Sequence, residues 1–360
     1  MAFGVYVHVP FCLRRCDYCA FATWDDRLEL LDRYVDGLVR EADAAGLAPA
    51  TSVFLGGGTP SLLTPDHLAR VLAAIPRAPG AEVTVECNPD TLSRPKLEGY
   101  RGAGATRISL GVQSMVPHVL AALGRTHDPA NVTASVGWVR DAGFETFNLD
   151  LIHGAAGESV DDWRRTLDAV LALDPPHVSA YALTVEPGTP LAADAARHPD
   201  DDDQADKHLL AESMLAGAGL ASYEVSNWAR PGHECAHNWL YWSQGDYRGL
   251  GCAAHSHAAG RRWWNVRTPE RYLSLLAAGQ PVEAAGEVLT EDERALERLQ
   301  LALRTREGVP AWALDADDLP GLVERRGDRV ALTLQGRLLA NEVALRLRLP
   351  APAQGRATPA

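Results

Sequence analysis

The chain has 360 residues, 46% hydrophobic and 22% charged, with a formal charge of −13. That is enough for one large domain plus one or two smaller ones of ordinary globular composition. The acidic balance argues against a nucleic-acid surface, and no apolar run approaches the roughly eighteen residues of a membrane span, which leaves at most peripheral contact with a bilayer. A cysteine motif begins at the twelfth residue, so no signal or transit peptide is expected. Six cysteines, three of them in that motif, fit a reducing compartment, the cytoplasm, better than a disulfide framework.

Val5–Val9 reads as the first strand and leads into Cys12-Leu-Arg-Arg-Cys16-Asp-Tyr18-Cys19. Three thiolates this close can face one metal centre, and thiolates hold iron–sulfur clusters. A cubane has four irons, so three cysteines leave one iron open, as reactive metal sites require. A zinc knot would need a fourth ligand, which His8 would have to supply from within a strand. Leu31, Tyr34, Val35, Leu38 and Val39 then share a helical face, with Asp26 and Glu29 as its capping box. Strand Ser52–Leu55 runs into Gly56-Gly57-Gly58-Thr59-Pro60. Thr64 and Pro65 are the expected Ncap and N1 of a helix carrying Leu68, Val71, Leu72 and Ile75.

Further strands follow at Glu82–Glu86, Arg107–Gly111, Thr146–Asp150 and His177–Tyr181, with a helix through Trp163, Leu167, Val170 and Leu171 before the last. Six alternating units predict an α/β fold, a partial (β/α)6 barrel over residues 1–195. Active sites of such folds lie at the C-terminal strand ends. The cysteine loop, the glycine run, Glu86, Gln113, Asp150 and Tyr181 all fall there.

Beyond the barrel, Asp200–Asp203 reads as a solvated loop, and residues 196–285 as an extension with an aromatic, glycine-rich stretch from Tyr223 to Trp264. Thr290-Glu-Asp-Glu293 is a capping box before another helix, and the strand-like Arg329–Leu334 leads through Gln335-Gly336 into a helix from Arg337. Residues 286–349 are therefore expected to form a smaller α+β, winged-helix-like domain, and 350–360, rich in Ala and Pro, a disordered tail.

The C-x3-C-x2-C spacing resembles the signature of radical S-adenosylmethionine (SAM) proteins. Together with Gly56–Pro60, Gly111-Val-Gln113-Ser114 and Asn148-Leu-Asp150-Leu-Ile-His-Gly154, it makes residues 3 to 345 similar to the oxygen-independent coproporphyrinogen III oxidase-like family. The resemblance implies a [4Fe–4S] cluster on Cys12, Cys16 and Cys19, with SAM on the open iron. Gly57, Gly58 and Thr59 would meet the methionine end of SAM, Tyr18 the adenine, Glu86 a ribose or amino group, and Tyr6 the cluster-bound SAM. Gln113, Arg125 and Asp150 match positions that line a second SAM site in the oxidases.

Within the family, three features resemble the heme-chaperone branch rather than the oxidases. Phe21 stands where the oxidases carry a further cysteine, only eleven residues precede the cluster motif, and His237-Asn238-Trp239-Leu240-Tyr241-Trp242 matches the HNxxYW motif associated with heme. Imidazole is a common axial ligand of heme iron, and Tyr241 and Trp242 could cover the porphyrin. Cys235 could compete as a thiolate ligand; His255 and His257 are within reach of a heme but are expected to be structural, and Cys87 and Cys252 are expected to fill apolar sites. The implied function is a heme chaperone that delivers heme to client hemoproteins. The alternatives are a coproporphyrinogen III oxidase, which decarboxylates propionate side chains by radical chemistry, and a radical SAM methyltransferase.

Overall fold

The computed structural model describes residues 2–349; the tail expected to be disordered lies outside them. Strands β1 (Phe3–Val9), β2 (Ala50–Gly57), β3 (Arg77–Cys87), β4 (Arg107–Gln113), β5 (Thr146–His153) and β6 (His177–Ala182) lie side by side in that order, all parallel. Between them run α1 (Leu31–Ala44), α2 (Pro65–Ala73), α3 (Arg94–Ala103), α4 (Pro117–Ala122), α5 (Pro129–Asp141) and α6 (Val160–Ala172). This is the expected six-unit α/β arrangement.

Successive side chains of a strand take opposite faces. Val5, Val7 and Val9 of β1, and Ile108, Leu110 and Val112 of β4, are buried in one core with the helix residues Leu38, Leu68, Leu97 and Val136. Burying side chains of this size contributes about 1.5–3 kcal/mol each. The alternate positions are polar and bond across the other face: Asn148 Nδ2 donates to Ser109 Oγ, which donates to Asp150, both at 2.8 Å. Parallel pairing brings all six C-terminal strand ends to one edge.

Thr64 caps α2 ahead of Pro65, and His67 completes a capping box. The box expected at Asp26 and Glu29 does not form. A 3-10 turn over Leu28–Leu30 precedes α1, whose N-cap Leu30 has no side-chain cap, while Asp26 pairs with Arg27 at 3.4 Å. Asp200–Asp203 is also corrected, from solvated loop to helix start. Asp200 caps α7 (Asp201–Gly217) by accepting the Asp203 N–H at 2.9 Å, and Asp201, Asp202 and Asp203 occupy the first turn. The positive end of the helix dipole favours carboxylates there. Asp203 further meets Lys207, a fully buried ammonium that also pairs with Glu158 at 3.4 Å.

Residues 196–285 form no separate body. β7 (Ala221–Glu224) and β8 (Asn227–Ala229) extend the sheet antiparallel beyond β6. After α8 (Ala236–Trp242), β9 (Asp246–Leu250) lies parallel beside β1. β10 (His255–Ala258), β11 (Arg261–Asn265) and, after α9 (Pro269–Ala277), β12 (Glu283–Val288) complete a twelve-stranded sheet. Their sequences, such as Glu283-Ala-Ala-Gly-Glu-Val288 of β12, carry no apolar alternation that could be read locally.

Among the described residues two compact units result, one running to Leu240 and resuming over Gly245–Val288, the other comprising Tyr241–Gln244 and residues 289–349. The second unit holds α10 (Glu291–Leu303), begun by the expected Thr290–Glu293 capping box. It also holds a three-stranded antiparallel sheet of β13 (Val309–Pro310), β14 (Val323–Arg326) and β15 (Arg329–Leu332), in the order β13-β15-β14, followed by α11 (Leu334–Leu338) and α12 (Ala340–Ala344). Leu299, Leu303, Val309, Val330 and Val343 belong to its own core. Among the described residues no helix is long and apolar enough to cross a membrane.

Candidate functional site

A cleft of about 660 Å³ opens at the C-terminal ends of the parallel strands. The loop after β1 contributes Cys12, Cys16, Tyr18 and Cys19 to its wall. The end of β2 contributes Gly57, followed by Gly58 and Thr59 of the next loop, while β3, β4 and β5 supply Glu86, Gln113 and Asp150. Arg125 joins them from the segment after α4. Residues more than a hundred positions apart meet here because each strand delivers its last inward residue to the same edge.

The cysteine loop is stitched at its neck. Trp24 N–H donates to Pro10 O at 2.8 Å, Cys12 N–H to Trp24 O at 3.0 Å, and the His8 ring meets Ala22 O at 2.9 Å. Burial raises the pKa values of the Cys12 and Cys19 thiols, so these groups hold their protons until a metal displaces them. Arg125 Nη1 lies 3.7 Å from Cys16 Sγ, a cation placed against a prospective thiolate, and Nη2 is anchored on Gly111 O at 2.8 Å. Among the described residues no three such side chains converge as the ligands of a single ion do. The cysteines of a cubane bind separate irons and need no common point, so this donor set suits a cluster.

The glycine run is held as tightly. Gly57 N–H donates to Glu86 Oε2 at 3.2 Å, Gly58 N–H to Val9 O at 2.8 Å and Thr59 N–H to Phe11 O at 2.8 Å. With those donors engaged, the backbone offers a ligand acceptors rather than donors, which suits an ammonium. Gly57 has φ +110°, and a Cβ on Gly58 would stand 2.6 Å from Phe11 O. The glycines are thus required by packing against the cluster loop as well as by any ligand.

Glu86 and Asp150 share the cleft floor. Burial, then the neighbouring Asp150, pushes the Glu86 carboxyl up to about 8. Burial also raises Asp150, opposed by donation from Ser109 and Asn148. Gln113 adopts φ +63° where the β4–β5 register slips between Gly111 and Gln113. A strained non-glycine residue at a strand end is a mark of a functional rim. Tyr6 does not line the cleft; it flanks Gly56 opposite Glu86, one step further into the barrel, with its hydroxyl 3.1 Å from His8 Nδ1.

Sequence reasoning missed Ser109 and His127, both in the cleft wall. Ser109 was legible, since it alternates with Gly111 and Gln113 on the inward face of β4. His127 was not: it stands two residues after Arg125 in a stretch without a motif, and only the fold turns it into the cleft wall, where burial and that cation push its pKa down to about 4.

The HNxxYW segment lies elsewhere. It forms α8, and its His237 is seated at the N-terminal end of the strands. The imidazole Nδ1 meets Ser52 Oγ at 2.9 Å and stacks on Phe54 with centroids 5.4 Å apart. Glu82 accepts the backbone N–H groups of Ala236 and His237, and Cys235 Sγ lies 3.4 Å from the same carboxylate. His237 is 1% exposed, and burial pushes its pKa down to about 3. An axial ligand needs an open coordination face, so His237 as placed does not fit a heme iron. Tyr241 and Trp242 are half-buried at the end of α8, in the stretch that groups with the second unit. Cys87 and Cys252 are buried as expected, Cys252 taking a hydrogen bond from Tyr34 at 3.4 Å. His257 is buried against Gly245 O, and His255 stacks on Trp264.

Residues 6–170 match the radical SAM superfamily. The heme chaperone HemW of Mycobacterium tuberculosis (strain H37Rv) is 43% identical over 95% of this chain and 93% of its own. The HemW proteins of Bacillus subtilis (strain 168) and Escherichia coli (strain K12) are each 34% identical over 94% of this chain, covering 97% and 96% of their own. Among solved structures, the coproporphyrinogen III oxidase HemN of Escherichia coli, a radical SAM enzyme, superposes with a TM-score of 0.83 at 23% identity, over 96% of this chain and 89% of that one. That likeness bears on the fold alone.

Proposed function

The chain belongs to the HemW family of heme chaperones, and from that premise we propose that it binds a [4Fe–4S] cluster, SAM and heme and passes heme to client hemoproteins. The observation that carries the cluster and SAM part is the single cleft that gathers Cys12, Cys16 and Cys19 with the glycine run and Glu86. The cysteines would hold three irons; the cluster, when bound, supplies one-electron chemistry. Tyr18 and the loop acceptors at Gly57 and Gly58 would orient SAM, with Glu86 taking a polar group and Tyr6 supporting the floor from beneath. Gln113, Arg125 and Asp150 complete the polar wall, and Arg125 offsets thiolate charge.

Heme binding comes to this chain from its family. The assignment to His237, Tyr241 and Trp242 requires α8 to leave its seat, because the imidazole is enclosed where it stands. A reducing compartment, the cytoplasm, is the proposed location, since six free thiols and an iron–sulfur cluster survive there.

One anaerobic preparation tests the reading. Reconstituted protein is assayed for iron, for SAM by equilibrium dialysis, for heme by titration and for conversion of coproporphyrinogen III. The expected result is about four irons per chain, saturable binding of SAM and heme, and no protoporphyrinogen. Absence of heme binding, or formation of protoporphyrinogen, would overturn the chaperone reading in favour of the oxidase.

A further inference from the structure

The inward face of the barrel carries an unbroken line of hydrogen bonds between the cleft and α8. Asn148 Nδ2 donates to Asp150 Oδ1 at 2.8 Å and to Ser109 Oγ at 2.8 Å. Ser109 in turn donates to Asp150 Oδ2, so its oxygen is the acceptor for Asn148, which fixes the amide orientation. Asn148 Oδ1 then faces His177 Nδ1 at 2.6 Å, and that nitrogen must carry the proton. His177 Nε2, 2.9 Å from Tyr223 Oη, is left as an acceptor for the phenol O–H. The phenol oxygen finally accepts from Asn238 Nδ2 at 3.3 Å. Asn238 is the second residue of the HNxxYW motif, next to the seated His237.

Every donor in this line points toward Asp150. His177 is fully buried, and burial together with Arg107 holds its pKa well below the ordinary value. It is therefore neutral and has one tautomer that satisfies both neighbours. Reversing any one group would reverse the rest and present the Asn148 carbonyl to a carboxylate, so the line behaves as one oriented element with few alternatives.

We propose that Tyr223 and His177 are positioning residues that couple the state of Asp150 in the SAM cleft to the seating of α8. A ligand that stabilises ionised Asp150 thereby stabilises the seated helix, and an unseated helix weakens that ligand. Linkage makes the effect reciprocal. The proposal rests on the reading of the cleft as the SAM site and needs nothing of heme.

The test uses cluster-loaded full-length protein and SAM. Tyr223→Phe removes only the hydroxyl at the middle of the line. It is expected to weaken SAM binding about fivefold, the equivalent of one hydrogen bond, with iron content and melting temperature near the parent's. In an Asp150→Asn background the same change is expected to have no further effect. Hydrogen exchange supplies the second readout: SAM should slow exchange of the backbone amides of residues 237–240 in the parent but not in Tyr223→Phe. Equal SAM affinity in parent and Tyr223→Phe overturns the coupling, as does a Tyr223→Phe effect that persists undiminished in the Asp150→Asn background. A parent that binds no SAM at all overturns the reading of the cleft itself, and the coupling with it.

Discussion

Gly58→Ala is expected to damage the protein through its own backbone before any ligand is involved. The added Cβ would lie 2.6 Å from Phe11 O and 2.9 Å from Val9 O, whereas an ordinary carbon–oxygen contact is about 3.3 Å or more. Those two oxygens accept Thr59 N–H and Gly58 N–H, each at 2.8 Å. Separating the segments by roughly 0.7 Å would therefore stretch both bonds beyond hydrogen-bond range. Two lost bonds cost about 1–3 kcal/mol and overpacking costs about 1–3 kcal/mol, so the expected destabilisation is between about 2 and 6 kcal/mol. Anaerobic urea unfolding of metal-free protein measures it. Gly137→Ala, in open space on α5, serves as the control and should gain a few tenths of a kcal/mol. Because the strain falls on Val9–Phe11, reconstituted Gly58→Ala should also lose iron. A Gly58→Ala protein with the parental urea midpoint would refute the packing argument, whatever its affinity for SAM.

Replacing Cys12, Cys16 and Cys19 together by Ala should abolish the brown absorption of the reconstituted protein, while Cys87, Cys235 and Cys252, buried at other contacts, should be dispensable for iron; iron retained by the triple variant counts against the cluster. Lys207→Met leaves the buried Glu158 carboxylate without its cation and should cost about 3–5 kcal/mol in urea unfolding, with Glu158→Gln recovering part of it; an unchanged midpoint would show that the pair is not coupled to folding. Glu86, raised to about 8 in the folded state, keeps a proton that the unfolded chain releases near pH 4.5. Its contribution is present below that pH and is lost as pH rises through 8. Glu86→Gln should accordingly gain stability relative to the parent at pH 9 compared with pH 4, and parallel pH profiles would contradict the assignment.

The local parts of this protein were legible because they depend on neighbours along the chain. Alternation of β-branched residues marked β1 to β6, Thr64 and Thr290 marked two helix starts, and the spacing of Cys12, Cys16 and Cys19 marked a metal loop. Asp200–Asp203 misled because a run of carboxylates describes a solvated loop and a helix N-terminus equally well; Lys207, buried one turn later, decided between them. Asp26 and Glu29 misled for the converse reason, since their spacing permits a cap that the Asp26–Arg27 pairing forgoes. The short strands β7 to β12 gave no periodicity, and only pairing made them strands, β9 on β1 and β8 on β6 with the others added outward from these. What tertiary structure alone decided is who meets whom across the barrel: Arg125 against Cys16, Glu86 beside Asp150, and His237 sealed on Ser52 and Phe54 instead of open to a ligand. A motif states which side chains are available, but inter-strand register and burial set their partners and their charge, and those are properties of contacts between residues distant in the chain.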